Sequence, residues 1–159
     1  MLISNLSELE AWILSYLATS EFSQINAKEI IGKSPQSIIM QIESKEGLIQ
    51  LLHKMKSSGL VFTYDTRYDE FDQFRLGTDG MLAFRKFLNP LTEIAQDNKK
   101  YNSIIDKTPG SEKTKKEFKK FLASLKGKLP DEASEEIIDF LKSARKEAVF
   151  YAIRLIIEN

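Results

Sequence analysis

His53 is the only histidine in the chain, and there is no cysteine. Thiolate metal sites, disulfides, Cys nucleophiles and His-pair metal sites therefore have no residues to build them. A lone His on a helix face is more often structural or solvated than catalytic. The other concentrated chemistry is acidic: Asp65, Asp69, Glu70 and Asp72 lie close together. They lack the glycine and the spacing of a calcium loop. Their plainer use is to keep an exposed strand edge soluble and unpaired. No Gly-rich phosphate loop or metal-binding spacing occurs. The expectation is a protein that is not an enzyme and holds no cofactor or metal.

Cations are the remaining candidates. Lys plus Arg totals 23 and Asp plus Glu totals 23, a formal net charge of zero. A general polycationic coat is excluded, so any nucleic-acid contact must come from local patches. Residues 1–90 hold 9 basic and 11 acidic residues. Residues 99–128 hold ten Lys against three acids, and residues 129–159 hold 4 basic against 7 acidic. Lys113, Lys116, Lys120 and Lys99-Lys100 could follow phosphates. Alternatively, Lys115, Lys116, Lys119 and Lys120 form the wet face opposite Phe118, Phe121, Leu122 and Leu125. Pairing with the acidic C-terminal stretch would use up part of this basic patch.

Periodicity supplies the elements that would position these groups. Leu6, Leu9, Ile13, Leu14 and Leu17 fall at helical spacing over 4–19, with Ser4 or Ser7 as the N-cap. A short strand or loop is expected over 20–25. Asn26 with Glu29 opens a second, short helix, which Gly32 stops. Lys33-Ser34-Pro35-Gln36 is a turn, and Ser37–Ile42 is a short helical piece. Ser44 caps a third helix over 45–58 with the stripe Leu48, Leu51, Leu52 and Met55, and Gly59 ends it. The period then changes to two, giving a β-hairpin over 60–65 and 71–76. Thr78 caps a further helix that Asn89-Pro90 closes or kinks. Residues 91–110 read as an irregular or weakly helical linker. Ser111 caps a helix to about Lys126, and Asp131 caps a last helix of about 25 residues.

That order, carried by the residues from Leu48 to Phe84, resembles the winged helix-turn-helix superfamily of transcription-regulator-like proteins over about residues 1–90. Leu48, Leu52 and Met55 running into Gly59-Leu60-Val61 are similar to a recognition helix and first wing strand. Phe74-Arg75-Leu76-Gly77-Thr78-Asp79-Gly80 is similar to the strand exit and capped helix after the wing. Many such domains read aromatic-x-Leu-Thr-x-x-Gly there; this chain has one extra Gly before the Thr. In a compact helix-turn-helix about 3–4 residues join the last two helices. Here about a dozen lie between Ile31 and Lys45. Either the recognition helix starts near Pro35 and bends, or the turn carries an insertion.

The expected fold class is mostly α (α+β): a winged helix-turn-helix domain over 1–90, a linker over 91–110 and a two-helix C-terminal segment over 111–159. The resemblance implies a DNA-binding transcriptional regulator. In it Lys45, Lys54 and Lys56 would meet phosphates, Gln50 an adenine edge, and Arg67 of the wing a minor groove. The acidic wing favours instead a protein–protein interaction module on the same scaffold. A third reading, ligand sensing, would use Trp12, Tyr16, Phe62 and Tyr64 as a pocket; the reading taken is that all four are core. The broad apolar face of the last helix calls for cover, by the rest of the chain or by a second copy in a homodimer. The longest apolar run, Ala148 to Ile157, is too short for a membrane span of roughly 20 residues. Residues 1–10 lack the basic stretch of a signal peptide. The expected location is cytoplasmic.

Overall fold

Capping side chains set where the helices begin. The computed structural model describes residues 6–19, 24–144 and 146–158, and divides into two compact units, Met1–Phe84 and Arg85–Asn159. Ser4 and residues 20–23, on which two of the expectations fall, lie outside the described residues. In the first unit, helix α1 (Glu8–Thr19) starts with a reciprocal capping box. The Glu10 N–H donates to Ser7 Oγ at 3.1 Å, and the Ser7 N–H donates to Glu10 Oε1 at 3.0 Å. Its side chains are buried almost all round, Trp12, Ile13 and Leu14 among them. The Trp12 indole N–H donates to Ser34 Oγ at 2.8 Å.

Strand β1 (Gln24–Ile25) follows, then α2 (Ala27–Lys33), whose N-cap Asn26 accepts from the Glu29 N–H at 2.8 Å. Gly32, the expected stop, lies inside α2, and the chain leaves the helix at Ser34. A separate one-turn helix, α3 (Gln36–Ile39), fills the long connection. The third long helix therefore does not begin near Pro35. It is α4 (Lys45–Ser57), capped by Ser44, a cap worth about 1 kcal/mol. Leu48, Ile49, Leu52, His53 and Met55 face inward from α4. Gly59, at φ +78°, turns the chain out of it.

Strands β2 (Val61–Phe62) and β3 (Phe74–Leu76) pair antiparallel, with Val61 opposite Leu76 and Phe62 opposite Arg75. β1 pairs with the other edge of β3, giving the order β1-β3-β2. The ladder is much shorter than the expected 60–65 and 71–76. Side chains rather than backbone pairs hold residues 63–73: the Asp65 N–H donates to Thr63 Oγ1, and the Gln73 N–H donates to Asp65 Oδ2.

Helix α5 (Gly80–Leu88) begins beyond Thr78, and its first turn is closed by the Ala83 N–H donating to the Asp79 carbonyl. Thr78 is thus not the cap residue. The extra glycine of this stretch has a packing reason. A Cβ on Gly77 would collide with the Gly59 carbonyl, and the Gly77 N–H donates to the Leu60 carbonyl at 2.9 Å.

The second unit is helical. Of the two expectations for residues 91–110, irregular or weakly helical, the helical one holds: they carry most of α6 (Pro90–Ile94) and all of α7 (Asn98–Lys107), and they belong to the second unit rather than to a linker. Then come α8 (Glu112–Ser124), capped by Ser111, and α9 (Pro130–Ser143). The expected 25-residue last helix is broken. Ala144 adopts an extended conformation (ψ 169°) and α10 (Lys146–Glu158) starts afresh. The N-cap of α9 is Leu129 rather than Asp131, because Pro130 takes the first helical position, where its missing N–H costs nothing. α10 packs against α6, α7, α8 and α9. Its Ala148, Val149, Tyr151, Ala152, Ile153 and Leu155 are buried within the chain.

The described residues are thus mostly helical with one small antiparallel sheet. None of their helices is long and apolar enough to cross a membrane.

Candidate functional site

Helix α4 was expected to carry the site, and its exposed residues sort onto distinct faces. Glu46, Gln50, Lys54 and Ser57 are exposed at helical spacing. This outward stripe has one acid and one cation, so it is electrically neutral. Lys45 lies off it and pairs with Glu70 of the β2–β3 connection at 3.1 Å.

Arg67 is held within that same connection. Its guanidinium is 3.9 Å from Asp65, 3.7 Å from Asp69 and 3.3 Å from Asp72. The two cations expected at a wing-type DNA contact are therefore engaged with carboxylates of the β2–β3 connection. Lys113, Lys116 and Lys120 are exposed along one side of α8, in the second unit. Lys115, expected on that wet face, is instead buried, and its ammonium donates to the Asp106 carbonyl at 3.3 Å. Lys119 pairs with Asp106 and Lys128 with Glu136. These predicted residues thus fall into three places: Gln50 and Lys54 on the outward stripe of α4, Lys45 and Arg67 at the β2–β3 connection, and Lys113, Lys116 and Lys120 on α8.

The connection is pinned to α4 by a buried charged contact. Asp72 is fully buried. Its Oδ2 accepts from the Tyr68 N–H at 2.8 Å and lies 3.2 Å from His53 Nε2. A carboxylate can only accept, so with Asp72 as carboxylate the contact requires the proton on Nε2. The His53 ring stacks on Tyr68, with centroids 3.9 Å apart, and meets Phe74 edge-on at 5.0 Å. Tyr68 sits at φ +57°, a conformation uncommon for a non-glycine residue. The Asp72 Oδ1 has the Arg67 charge beside it but no aligned hydrogen bond. His53 and Asp72 thereby clamp the β2–β3 connection to α4, a role the sequence did not suggest for either residue.

A second cluster lies where α4 runs out into β2. Lys56 is half-buried, with its ammonium 6.0 Å from the Phe62 ring centroid. The Arg75 guanidinium is 5.2 Å from Phe62 and 5.3 Å from Tyr64, and the two rings meet edge-to-face at 4.7 Å. These are cation–π distances. Tyr64 is 81 % exposed, which corrects its expected place in the core. Trp12 and Tyr16 are indeed buried, so the four aromatics do not line one pocket. Around Lys56, Phe62, Tyr64, Arg75 and Thr78 opens a cleft of about 330 Å³. Neither Lys56 nor Arg75 is ion-paired among the described residues. Asp79 is the acid nearby: a Cβ on Gly59 would come within 2.7 Å of its carboxylate.

Arg75 was missed because a single Arg in a strand carries no signal. Only the register, which sets it opposite Phe62, joins it to the aromatics. No group of three or more His, Cys, Asp or Glu side chains that could hold a metal ion occurs among the described residues. Comparison with protein-family models, with curated proteins and with solved structures finds no match to this chain.

Proposed function

We propose that the first unit is a winged helix-turn-helix module that binds nucleic acid, in a regulator-type protein. The order α1-β1-α2-α3-α4-β2-β3, with β1 and β2 flanking β3, supports the winged-helix reading. The observation that carries nucleic-acid binding is the cluster at the end of α4. Two cations without acidic partners among the described residues, Lys56 and Arg75, share a cleft with an exposed aromatic, Tyr64. Cations of this kind supply the salt-sensitive attraction to phosphate, and exposed rings offer a surface for bases. The contact is placed at the sheet and the C-terminal end of α4, away from the neutral stripe of Glu46, Gln50 and Lys54.

A second reading, a protein–protein interaction module, is favoured by the wing itself. Lys45 and Arg67 are engaged with acids there, while Tyr68 and Phe71 remain exposed. Aromatic side chains amid neutralised charge suit a protein partner.

One experiment separates the two. Fluorescence anisotropy of the full chain with a mixed pool of labelled single- and double-stranded oligonucleotides, at 50 and 200 mM salt on the scale where phosphate contacts respond, is expected to show binding that weakens with salt. Absence of binding at the lower salt would exclude the nucleic-acid reading and leave the wing as a protein-docking surface.

A further inference from the structure

The outer face of the small sheet has a chemistry of its own. Side chains alternate across a strand. Ile25, Val61 and Phe74 point into the core, and all three are buried. Their neighbours Gln24, Phe62 and Arg75 share the opposite face, because Gln24 and Phe62 both register with Arg75 across the ladders. Tyr64 joins that face through its edge contact with Phe62, and Lys56 reaches it from α4. No described part of the first unit covers the Tyr64 ring, which is 81 % exposed.

From this face we infer that the nucleic acid taken by the first unit is single-stranded. Its bases stack on Tyr64 and the exposed part of Phe62, and its phosphates meet Arg75 and Lys56. The inference rests on the nucleic-acid reading above and narrows it.

Three observations favour a single strand over a duplex. First, the faces of bases inside a duplex are covered by their neighbours, so an exposed ring gains stacking only from unpaired bases. Second, the outward stripe of α4 that would enter a major groove is neutral, and so adds nothing to the phosphate attraction that dominates duplex affinity. Third, a duplex is a stiff rod. Laid along α4, it would reach the acidic wing, where Glu70 meets Lys45 at the helix's first residue. Lys56 is eleven residues further on, roughly 16 Å along the axis. A flexible strand can occupy the Lys56 end and leave the acids behind.

Arg75 fits the role in a second way. Its guanidinium lies over both rings and has no carboxylate partner among the described residues. It is therefore already oriented by the aromatics it would share with a base, and its donors remain available for a phosphate oxygen. Lys56 also lines the cleft and provides a second, point-like charge there.

The test uses the full chain with labelled oligothymidylate and oligoadenylate of about twelve nucleotides, within the range of single-strand sites, and a mixed-sequence duplex of the same length. Both single strands are expected to bind more tightly than the duplex. Two phosphate contacts give a salt slope of about 1.4, so fourfold more salt weakens binding about sevenfold. Tyr64→Ala is expected to weaken single-strand binding by about tenfold or more, and Tyr64→Phe to leave it nearly intact, because the ring supplies the stacking. Arg75→Gln should lower the salt slope by about 0.7. Tyr64 is exposed, so its variants test the surface without emptying the core. Preferred duplex binding that ignores Tyr64→Ala would overturn the single-strand inference while the nucleic-acid reading stands. Failure of all three probes to bind would overturn both. Displacement of the strand by a polyglutamate peptide at equal charge concentration would show a general anion site, and would also overturn the inference.

Discussion

Replacing Asp72 by Ala tests whether the β2–β3 connection is clamped to α4 as the geometry indicates. Asp72 is fully buried and serves three groups: the Tyr68 N–H at 2.8 Å, His53 Nε2 at 3.2 Å and the Arg67 guanidinium at 3.3 Å. Removing the carboxylate strands the His53 N–H, at about 1–3 kcal/mol when buried, and the part-buried Tyr68 N–H, at the low end of that range. It also removes a buried charge whose Oδ1 lacks an aligned hydrogen bond, and that relief offsets part of the loss. The expected net loss is about 2–4 kcal/mol, with the backbone of Tyr68 at φ +57° losing the bond that holds it. Asp72→Asn keeps an acceptor for the Tyr68 N–H but not the charge facing Arg67, so it should cost about half as much.

The assay is built into the chain. Trp12 is the only tryptophan and lies in the core of the first unit. Its fluorescence during urea unfolding therefore reports on that unit. With a slope of about 1–3 kcal/mol per molar urea, the Asp72→Ala midpoint should fall by about 1 M or more. The double variant with His53→Ala should show a coupling of about 1–3 kcal/mol, as expected for residues in direct contact. A loss under about 1 kcal/mol, or additive effects of the two substitutions, would refute the clamp.

In the second unit, the Tyr151 hydroxyl is buried with no hydrogen-bond partner among the described residues, so Tyr151→Phe should be neutral or should stabilise the fold against heat by up to about 1 kcal/mol. A clear loss would mean that the hydroxyl has a partner after all. Burial first, then the charges of Glu147 and Glu112, push the Tyr151 pKa up to about 12. The unfolded chain loses that proton first, so the contribution is complete below pH 10 and is lost as pH rises toward 12, by about 1 kcal/mol at pH 11. The urea midpoint of Tyr151→Phe should fall less between pH 8 and 11 than that of the native chain; equal falls would show the shift to be absent. A Cβ at position 110 would overlap the Tyr151 hydroxyl and come within 2.6 Å of its Cζ, so Gly110→Ala should cost about 1–3 kcal/mol or more, and somewhat less when combined with Tyr151→Phe, which removes the hydroxyl overlap and leaves the ring contact; strict additivity would contradict that packing. The apolar side of α10 is covered by α6, α7, α8 and α9, so sedimentation at micromolar concentration is expected to give the monomer mass. A dimer mass would return the homodimer suggested by the sequence to the remaining exposed surface, such as Ile157.

Signals that are local in sequence were legible, and signals that depend on pairing were not. Ser7, Asn26, Ser44 and Ser111 each cap the helix expected of them, because a cap needs only a short polar side chain and the N–H three residues on. The break at Ala144 was invisible. α9 and α10 both bury apolar faces, so the stripe Ile137, Leu141, Ala148 and Ala152 continues in sequence across a backbone that turns. The helices within 91–110 were only weakly legible because they are short and α7 buries only Tyr101 and Ile105, too few for a clear period. Tyr64 was placed in the core because an aromatic alternating with polar residues marks the inner face of a strand as readily as the outer one. The hairpin ends at Phe62, and the Asp65 N–H turns back onto Thr63. Beyond that point alternation no longer decides which side a residue takes.

The charge count of the β2–β3 connection shows how little composition says about which charges meet. Asp65, Asp69, Glu70 and Asp72 read as a repulsive tip and Arg67 as a lone probe for a groove. In the fold, Arg67 sits among three of those acids, Glu70 holds Lys45, and Asp72 is spent on the His53 and Tyr68 clamp. Surface pairs of this kind add little stability. Their larger consequence is for recognition, because a cation already beside a carboxylate gains less from a phosphate than a free one. Attraction for an anion therefore belongs to the cations left over. In the first unit, Lys54 stands alone on its stripe, whereas Lys56 and Arg75 converge on one cleft with two aromatic rings. A net charge of zero over the chain is compatible with such a site, since the charges that cancel in the sum are not those that meet in space.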